Sequence, residues 1–196
     1  MDPLYLTLRH LTSPVVAITT SADGRKNGMI ANSAQRASLV PSVPRVSVYI
    51  SKANVSHDLI YRSGVFGMHL LRSDQWELIW QLGLKSARQM PDKLKGFEVQ
   101  TGCTGCPLLI DVLAALECRV ANAMDTGAST LFLGDVVSVQ KGREGAAMTS
   151  GHFRAHMPPD KQAIYEDQLK MAQDKLKLLA RNIDLERRWP GPQVAP

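Results

Sequence analysis

Short apolar runs alternate with polar turns along most of the chain. Residues 14–20 (PVVAITT) are largely β-branched and predict a buried strand. Ser21-Ala22-Asp23-Gly24 follows as turn chemistry, the Asp-Gly pair favouring a tight reversal, so residues 27–37 are expected as the antiparallel return strand. Residues 45–50 (RVSVYI) predict a third strand and residues 65–71 another. Between them residues 54–62 have helical character, with Asn54 or Ser56 as cap and Ser63-Gly64 as stop. Residues 74–84 are amphipathic and bring Trp76, Ile79, Trp80 and Gly83 close to one face. From Leu116 to Met124, the residues Leu116, Cys118, Val120, Asn122 and Met124 alternate with Glu117, Arg119, Ala121 and Ala123. That period of two predicts a strand with one polar face. Residues 129–139 (STLFLGDVVSV) predict the last long strand, with Gly134 as a bulge or bend.

Many short strands joined by short helices argue for a mainly antiparallel barrel rather than βαβ units. No G-x-G-x-x-G follows a strand, which removes the Rossmann signature. After Pro158-Pro159 the period changes. Asp160 can cap a long helix in which Tyr165, Leu169, Ala172, Leu176, Leu179 and Ile183 form an apolar stripe at spacings of four and three. The stripe can dock on its own barrel or pack across a dimer. The expected organisation is a barrel domain over residues 1–157 and a C-terminal helical extension over residues 158–196, ending in a loose RRWPGPQVAP.

Composition narrows the class. With 44% apolar residues, the 196-residue chain can bury a core. No apolar run approaches the ~20 residues of a membrane helix, and Met1-Asp2-Pro3 opens no secretory signal, so the expectation is a cytoplasmic protein without a membrane partner. Cys103, Cys106 and Cys118 are too few for a disulfide scaffold. Cys103 and Cys106 have C-x-x-C spacing, but no second ligand pair follows, and Pro107 leads into an extended run; reduced thiols in a loop are expected, and no metal. The net charge of +5 is dispersed. Its densest excess, Lys85, Arg88, Lys93 and Lys95 against Asp92, is either a solvated face or a patch that attracts a phosphorylated nucleotide. With 6% aromatics and no basic face interleaved with them, a nucleic-acid-binding barrel is disfavoured.

Residues 27–44 (NGMIANSAQRASLVPSVP) stand apart. The stretch begins like a strand, yet Asn32, Ser33, Gln35, Arg36 and Ser38 crowd it with polar groups before Pro41 and Pro44. An edge strand with one wet face would account for this. So would a strand end lining a site for a flat, hydrogen-bonding ligand.

The order SPVVAITT, NGMIANSA, SLVPSVPRVSVYI, SKANVSHDLI, SGVFGMHLL, LGLKSARQMPDKLKGF, GCPLLIDVLAALECRV and TLFLGDVVSV resembles the flavin reductase-like, FMN-binding split-barrel family over roughly residues 8–153. The resemblance implies a mainly β fold, a six-stranded antiparallel split β-barrel with short flanking helices and a long C-terminal helix, assembled as a homodimer. It also implies FMN, with FAD as the other possible flavin, and NADH or NADPH as hydride donor. A flavin-dependent monooxygenase or other acceptor protein would receive the electrons.

Under that resemblance Met29, Ile30, Ala31, Asn32, Ser33 and Ala34 lie along the flavin rim, small groups alternating with polar ones, and Ser38 near the ribityl chain. Ser51, Lys52, Asn54, Ser56 and His57 offer a charge, donors and a helix N-terminus for the phosphate. Ser86, in Gly83-Leu84-Lys85-Ser86, and Lys93 match a segment flanking the flavin, with Ala87 and Leu94 departing from its pattern. His152, in SGHFRAHM, is the one catalytic candidate, on the substrate side; His10, His69 and His156 are read as structural. Where many members carry Gly-Asp-His, this chain has Gly127-Ala128-Ser129. Two readings follow: an NAD(P)H:flavin oxidoreductase, or an FMN-binding electron-transfer protein without a nicotinamide site.

Overall fold

The computed structural model describes residues 3–8, 10–11, 13–85, 90–186 and 189–191. After a short helix α1 (Pro3–Leu8), the chain builds strands β1 (Val16–Ala22), β2 (Arg25–Ala31), β3 (Gln35–Arg36), β4 (Arg45–Ser51), β5 (Val65–Leu70), β8 (Ala114–Asp125) and β9 (Ser129–Lys141) into one antiparallel sheet of order β2-β1-β5-β8-β9-β4-β3. Strands β6 (Val99–Thr101) and β7 (Pro107–Leu109) form a separate hairpin. The sheet curls so that Met29 and Ala31 from one edge share an apolar cluster with Val46, Val48 and Ile50 from the other. This is the expected split barrel, with the two-residue β3 added at its edge.

β1 explains its own sequence. Val16 and Ile18 point into the barrel, whereas Val15 and Ala17 join a second cluster outside it, beneath Leu82, Leu94 and Leu109. A strand buried on both faces has no polar alternation to show. Thr19 Oγ1 donates to the Pro107 carbonyl, and His69 bridges the Ala17 carbonyl (3.1 Å) and the Leu109 N–H (3.0 Å), which latches the β6–β7 hairpin to the outer face. The Cys103–Cys106 turn of that hairpin is held by the buried Glu117 carboxylate, which accepts from the backbone N–H groups of Cys103 and Thr104.

Helix α2 (Val55–Ser63) starts and stops as its caps dictate: the Asn54 side chain accepts from the Ser56 N–H, and Gly64 takes the left-handed conformation at φ 68°. Residues 74–84 divide into α3 (Trp76–Ile79) and a π-helical turn (Trp80–Leu84). Helix α4 (Ser150–Ala155) is capped by Thr149.

Several expectations are corrected. Residues 27–37 are two strands: β2 pairs with β1 and β3 with β4, so residues 32–34 carry the chain across the split from one sheet edge to the other. The alternation over residues 116–124 does not hold, because β8 bulges between Glu117 and Cys118 and between Val120 and Asn122. Each bulge reverses the phase, burying Glu117, Ala123 and Asp125 and exposing Met124. Gly134 stands opposite the second bulge, where a Cβ would meet Phe66 at 2.7 Å.

Helix α5 (Pro159–Leu176) begins with Pro159 in its first turn, ends seven residues before Ile183 and gives way to a 3₁₀ turn (Leu179–Arg181). Its stripe docks on its own chain at one end: Tyr165 meets the Phe153 ring edge-on at 5.6 Å, and Gln168 Nε2 donates to the Leu84 carbonyl at 2.7 Å. Trp189, expected in a loose tail, is half-buried and donates from its indole N–H to the Tyr61 carbonyl at 3.1 Å. No helix among the described residues is long and apolar enough to cross a membrane.

Candidate functional site

The split is where the candidate ring-binding residues gather. Met29, Ala31 and Ala34 turn inward and are buried in the barrel cluster, so only their backbone can reach a ligand. Ile30 and Asn32 turn outward. Ser33 stitches the split: its hydroxyl donates to the Tyr49 carbonyl (3.0 Å) and accepts from the Tyr49 N–H (3.2 Å). Ser38 accepts from the Val40 N–H at 3.1 Å, closing a local turn.

Ile30 and Asn32 form one wall of a cleft of about 140 Å³, closed on the other sides by Trp80, Gly83, Phe153 and Tyr165. The π-helical turn brings Gly83 over β2, where a Cβ would lie 3.2 Å from Ile30 Cγ1. Trp76 stacks on Trp80 at 5.4 Å and on Phe153 at 5.8 Å, so the aromatic wall is braced from behind. His152 lies on the far side of that brace, 6.2 Å from the Trp76 ring and stacked on His156 at 4.1 Å. It does not line the cleft.

The second group of candidates lies around the start of α2. Ser56 and His57 are buried. Ser56 accepts from Asn27 Nδ2 at 2.8 Å, tying α2 to β2. His57 lies between Asp58 Oδ1 (2.9 Å) and Thr130 Oγ1 (2.8 Å). Asn54 is occupied as the cap, and Ser51 Oγ accepts from the Ala53 N–H. Lys52 is bound by both oxygens of Asp125, at 2.7 and 2.8 Å, and the two side chains are only 16% and 4% exposed. Burial raises the Asp125 carboxyl, but the hydrogen bonds from Lys52 and the Gly127 N–H hold it below its ordinary value. The lysine therefore presents a charge already compensated inside the fold, with one ammonium hydrogen left over.

Ser86 and Arg88 lie outside the described residues. Lys93 is no part of a solvated patch: it is buried, donates to the Leu82 carbonyl, and burial pushes its amine down to about 8.

Sequence reasoning missed Asp125, Phe153 and Tyr165 as parts of this region. Trp80 was visible only as one side of an amphipathic segment. Its spacing of four from Trp76 is the signal that places two stacked rings on one helical face.

A flavin ring is compatible with this arrangement. β2 is a sheet edge, the backbone over 32–34 belongs to no ladder, and the glycine at 83 keeps open the approach that a Cβ would fill. At about 140 Å³ the cleft is smaller than the roughly 300 Å³ at which whole-ligand pockets begin. That volume would suit one edge of a tricycle.

Comparison with known proteins bears on the same residues. The family model described as flavin reductase like domain matches residues 8–163. The chain is 31% identical to a ferric-chelate reductase (NAD(P)H) from Archaeoglobus fulgidus, over 69% of this chain and 80% of that protein. It is 28% identical to an NADH-dependent FAD reductase from Streptomyces globisporus, over 73% of this chain and 79% of that protein. Among solved structures, nitrilotriacetate monooxygenase component B from Mycobacterium thermoresistibile superposes with a TM-score of 0.65 at 24% identity, over 73% of this chain and 78% of that one. The split, the edge strand beside it and the extent of the match lead to one assignment: this chain belongs to the flavin reductase-like family.

Proposed function

We propose that the chain is an NAD(P)H:flavin oxidoreductase in which residues 30–34 receive the flavin ring. The cleft between Asn32 and Gly83 carries this reading, because it joins an open strand edge to an aromatic wall. A bound flavin would supply the redox chemistry, accepting hydride from a reduced nicotinamide and passing electrons onward. The chain's part is to bind and orient. Ile30 and Trp80 contact the ring edge, Asn32 offers a donor and an acceptor to its rim, and Phe153 and Tyr165 exclude water from that end. The reductase names of the relatives in Archaeoglobus fulgidus and Streptomyces globisporus support NADH or NADPH as the donor.

FMN is the flavin this reading favours, with the phosphate near Asn54 and Lys52. The pairing of Lys52 with Asp125 makes preference for the phosphate weak and leaves FAD as an alternative ligand. A homodimer is the proposed assembly. Tyr49, Leu131 and Met124 stand side by side on the outer face of β4, β9 and β8, and Tyr49 and Met124 are 44% and 54% exposed. That face adjoins the split through Ser33, so a second subunit there would enclose ring surface the cleft leaves open. A monooxygenase component is a fitting acceptor, given the neighbour of the same fold.

The test is spectroscopic. The purified protein is titrated with FMN and FAD, then mixed anaerobically with NADH and with NADPH. Bleaching of the flavin band is expected; no bleaching by either donor would refute the reductase reading. The Gly127-Ala128-Ser129 turn, which offers neither acid nor imidazole, favours a second reading in that event: a flavin-holding electron carrier reduced by another protein.

A further inference from the structure

The match to the family domain ends at residue 163, and the chain continues through most of α5 and beyond. We propose that this C-terminal extension is an intramolecular clamp over the flavin site and sets how slowly flavin leaves it. The inference rests on the flavin reading above.

Three contacts place the clamp. At the ring end, Tyr165 lines the same cleft as Asn32, held edge-on against Phe153 while Gln168 anchors the helix to Leu84. Further on, the strap crosses the β8–β9 turn. Gly127 has a φ of +82°, and a Cβ there would come within 2.7 Å of the Ala180 carbonyl, so this position accepts the strap only as glycine. The Asp184 N–H then donates to Asp125, the carboxylate that holds Lys52 beside the start of α2. Finally Trp189 lays its indole against the main cluster and bonds the Tyr61 carbonyl of α2. One continuous segment thus touches the ring cleft and the residues proposed to flank the phosphate.

The same segment is lightly held. No residue of α5 is buried, and Met171, Leu178 and Leu185 are exposed. An element fixed at a few points and without a buried face opens at far lower free energy than the barrel. It can lift to admit flavin and settle back over it. The clamp would make flavin a retained group between turnovers rather than a freely exchanging substrate.

Full-length Tyr165→Ala and Trp189→Ala are compared with the natural chain by stopped-flow displacement of bound FMN. Each should release FMN roughly three- to ten-fold faster, the size expected for losing one aromatic contact, with association as fast as in the natural chain or faster; Tyr165→Phe should keep the slow rate. On the unaltered chain, saturating FMN should slow tryptic cleavage after Lys177 and Arg181. A purely structural extension would shift the thermal midpoint without changing release. Natural release rates in both alanine variants, or cleavage indifferent to FMN, would overturn the clamp while flavin binding stands. Failure of the unaltered chain to bind FMN or FAD would remove the flavin reading itself, and the clamp with it.

Discussion

Replacing Asp125 by asparagine separates what the Lys52–Asp125 pair does for the fold from what it does for a ligand. Asparagine keeps the shape and can still accept from the Gly127 N–H. It removes the negative charge, leaving Lys52 largely buried and uncompensated. Removing one partner of such a pair costs about 3–5 kcal/mol, and because the amide retains an acceptor, the expected loss is about 3 kcal/mol. In a chain of this length that corresponds to a thermal midpoint lower by about 6–12 °C. The ligand should respond in the opposite sense. An ammonium freed from its carboxylate attracts a phosphate more strongly, so the ratio of riboflavin to FMN dissociation constants should rise roughly tenfold, or about 1.4 kcal/mol. Titrating both flavins by fluorescence quenching measures that ratio, and the ring contribution cancels in it. The Asp125 carboxyl is held below its ordinary value in the fold, so its contribution is complete above the usual carboxylate range and is lost as pH falls through the folded-state value. The variant should lack that component of acid sensitivity. An unmoved thermal midpoint would refute the structural role, and an unchanged or lower FMN preference would refute the placement of the phosphate.

Other substitutions test the remaining parts. His69, pushed down to about 4 by burial, is neutral in the fold; stability should be full above about pH 6.5 and fall by about 3 kcal/mol as pH drops toward 4, measured by urea unfolding, and His69→Leu should abolish that slope while lowering stability at pH 7. Gly83→Val presses on Ile30, whose Cγ1 a Cβ at 83 would meet at 3.2 Å, and should weaken flavin binding by roughly tenfold or more while lowering stability by about 1 kcal/mol, read by flavin titration and thermal melting. Asn32→Ala should weaken flavin binding at unchanged stability, whereas Ser33→Ala should do the reverse by losing the Tyr49 stitch, about 1 kcal/mol by chemical denaturation. Tyr49→Asp with Met124→Lys should convert a dimer to monomers by light scattering; an unchanged mass would place the interface elsewhere.

What could be read from the chain was what local chemistry decides. The cap at Asn54 and the stop at Gly64 act within a few residues, and α2 begins and ends with them. The β1 run and the Asp23-Gly24 reversal are equally local. What escaped depends on partners far away in sequence. Whether β8 bulges is settled by its register with β9, so Met124 looked like core and lies outside. Lys52 looked like a free charge beside a helix start, and its carboxylate is 73 residues distant. Lys93 looked like part of a basic surface until Leu82 and the outer cluster covered it. Tyr165 read as one member of a helical stripe, and nothing in its spacing announced that this end of the stripe would border Asn32.

The polar crowding of residues 32–38 then divides into two demands. At the split the chain leaves the β2 edge and joins the β4 edge, so for three residues its backbone has no ladder. Some side chains stabilise that crossing: Ser33 ties it to Tyr49, and Ser38 closes the turn before β4. Gln35 and Arg36 face solvent from a strand too short to need more. Asn32 fits neither role. It faces the cleft, makes no side-chain hydrogen bond among the described residues, and stands opposite the aromatic wall. A crossing alone would be served by any small polar residue there. An amide with both donor and acceptor, placed where an edge strand meets stacked rings, is what a flat ligand with a hydrogen-bonding rim requires.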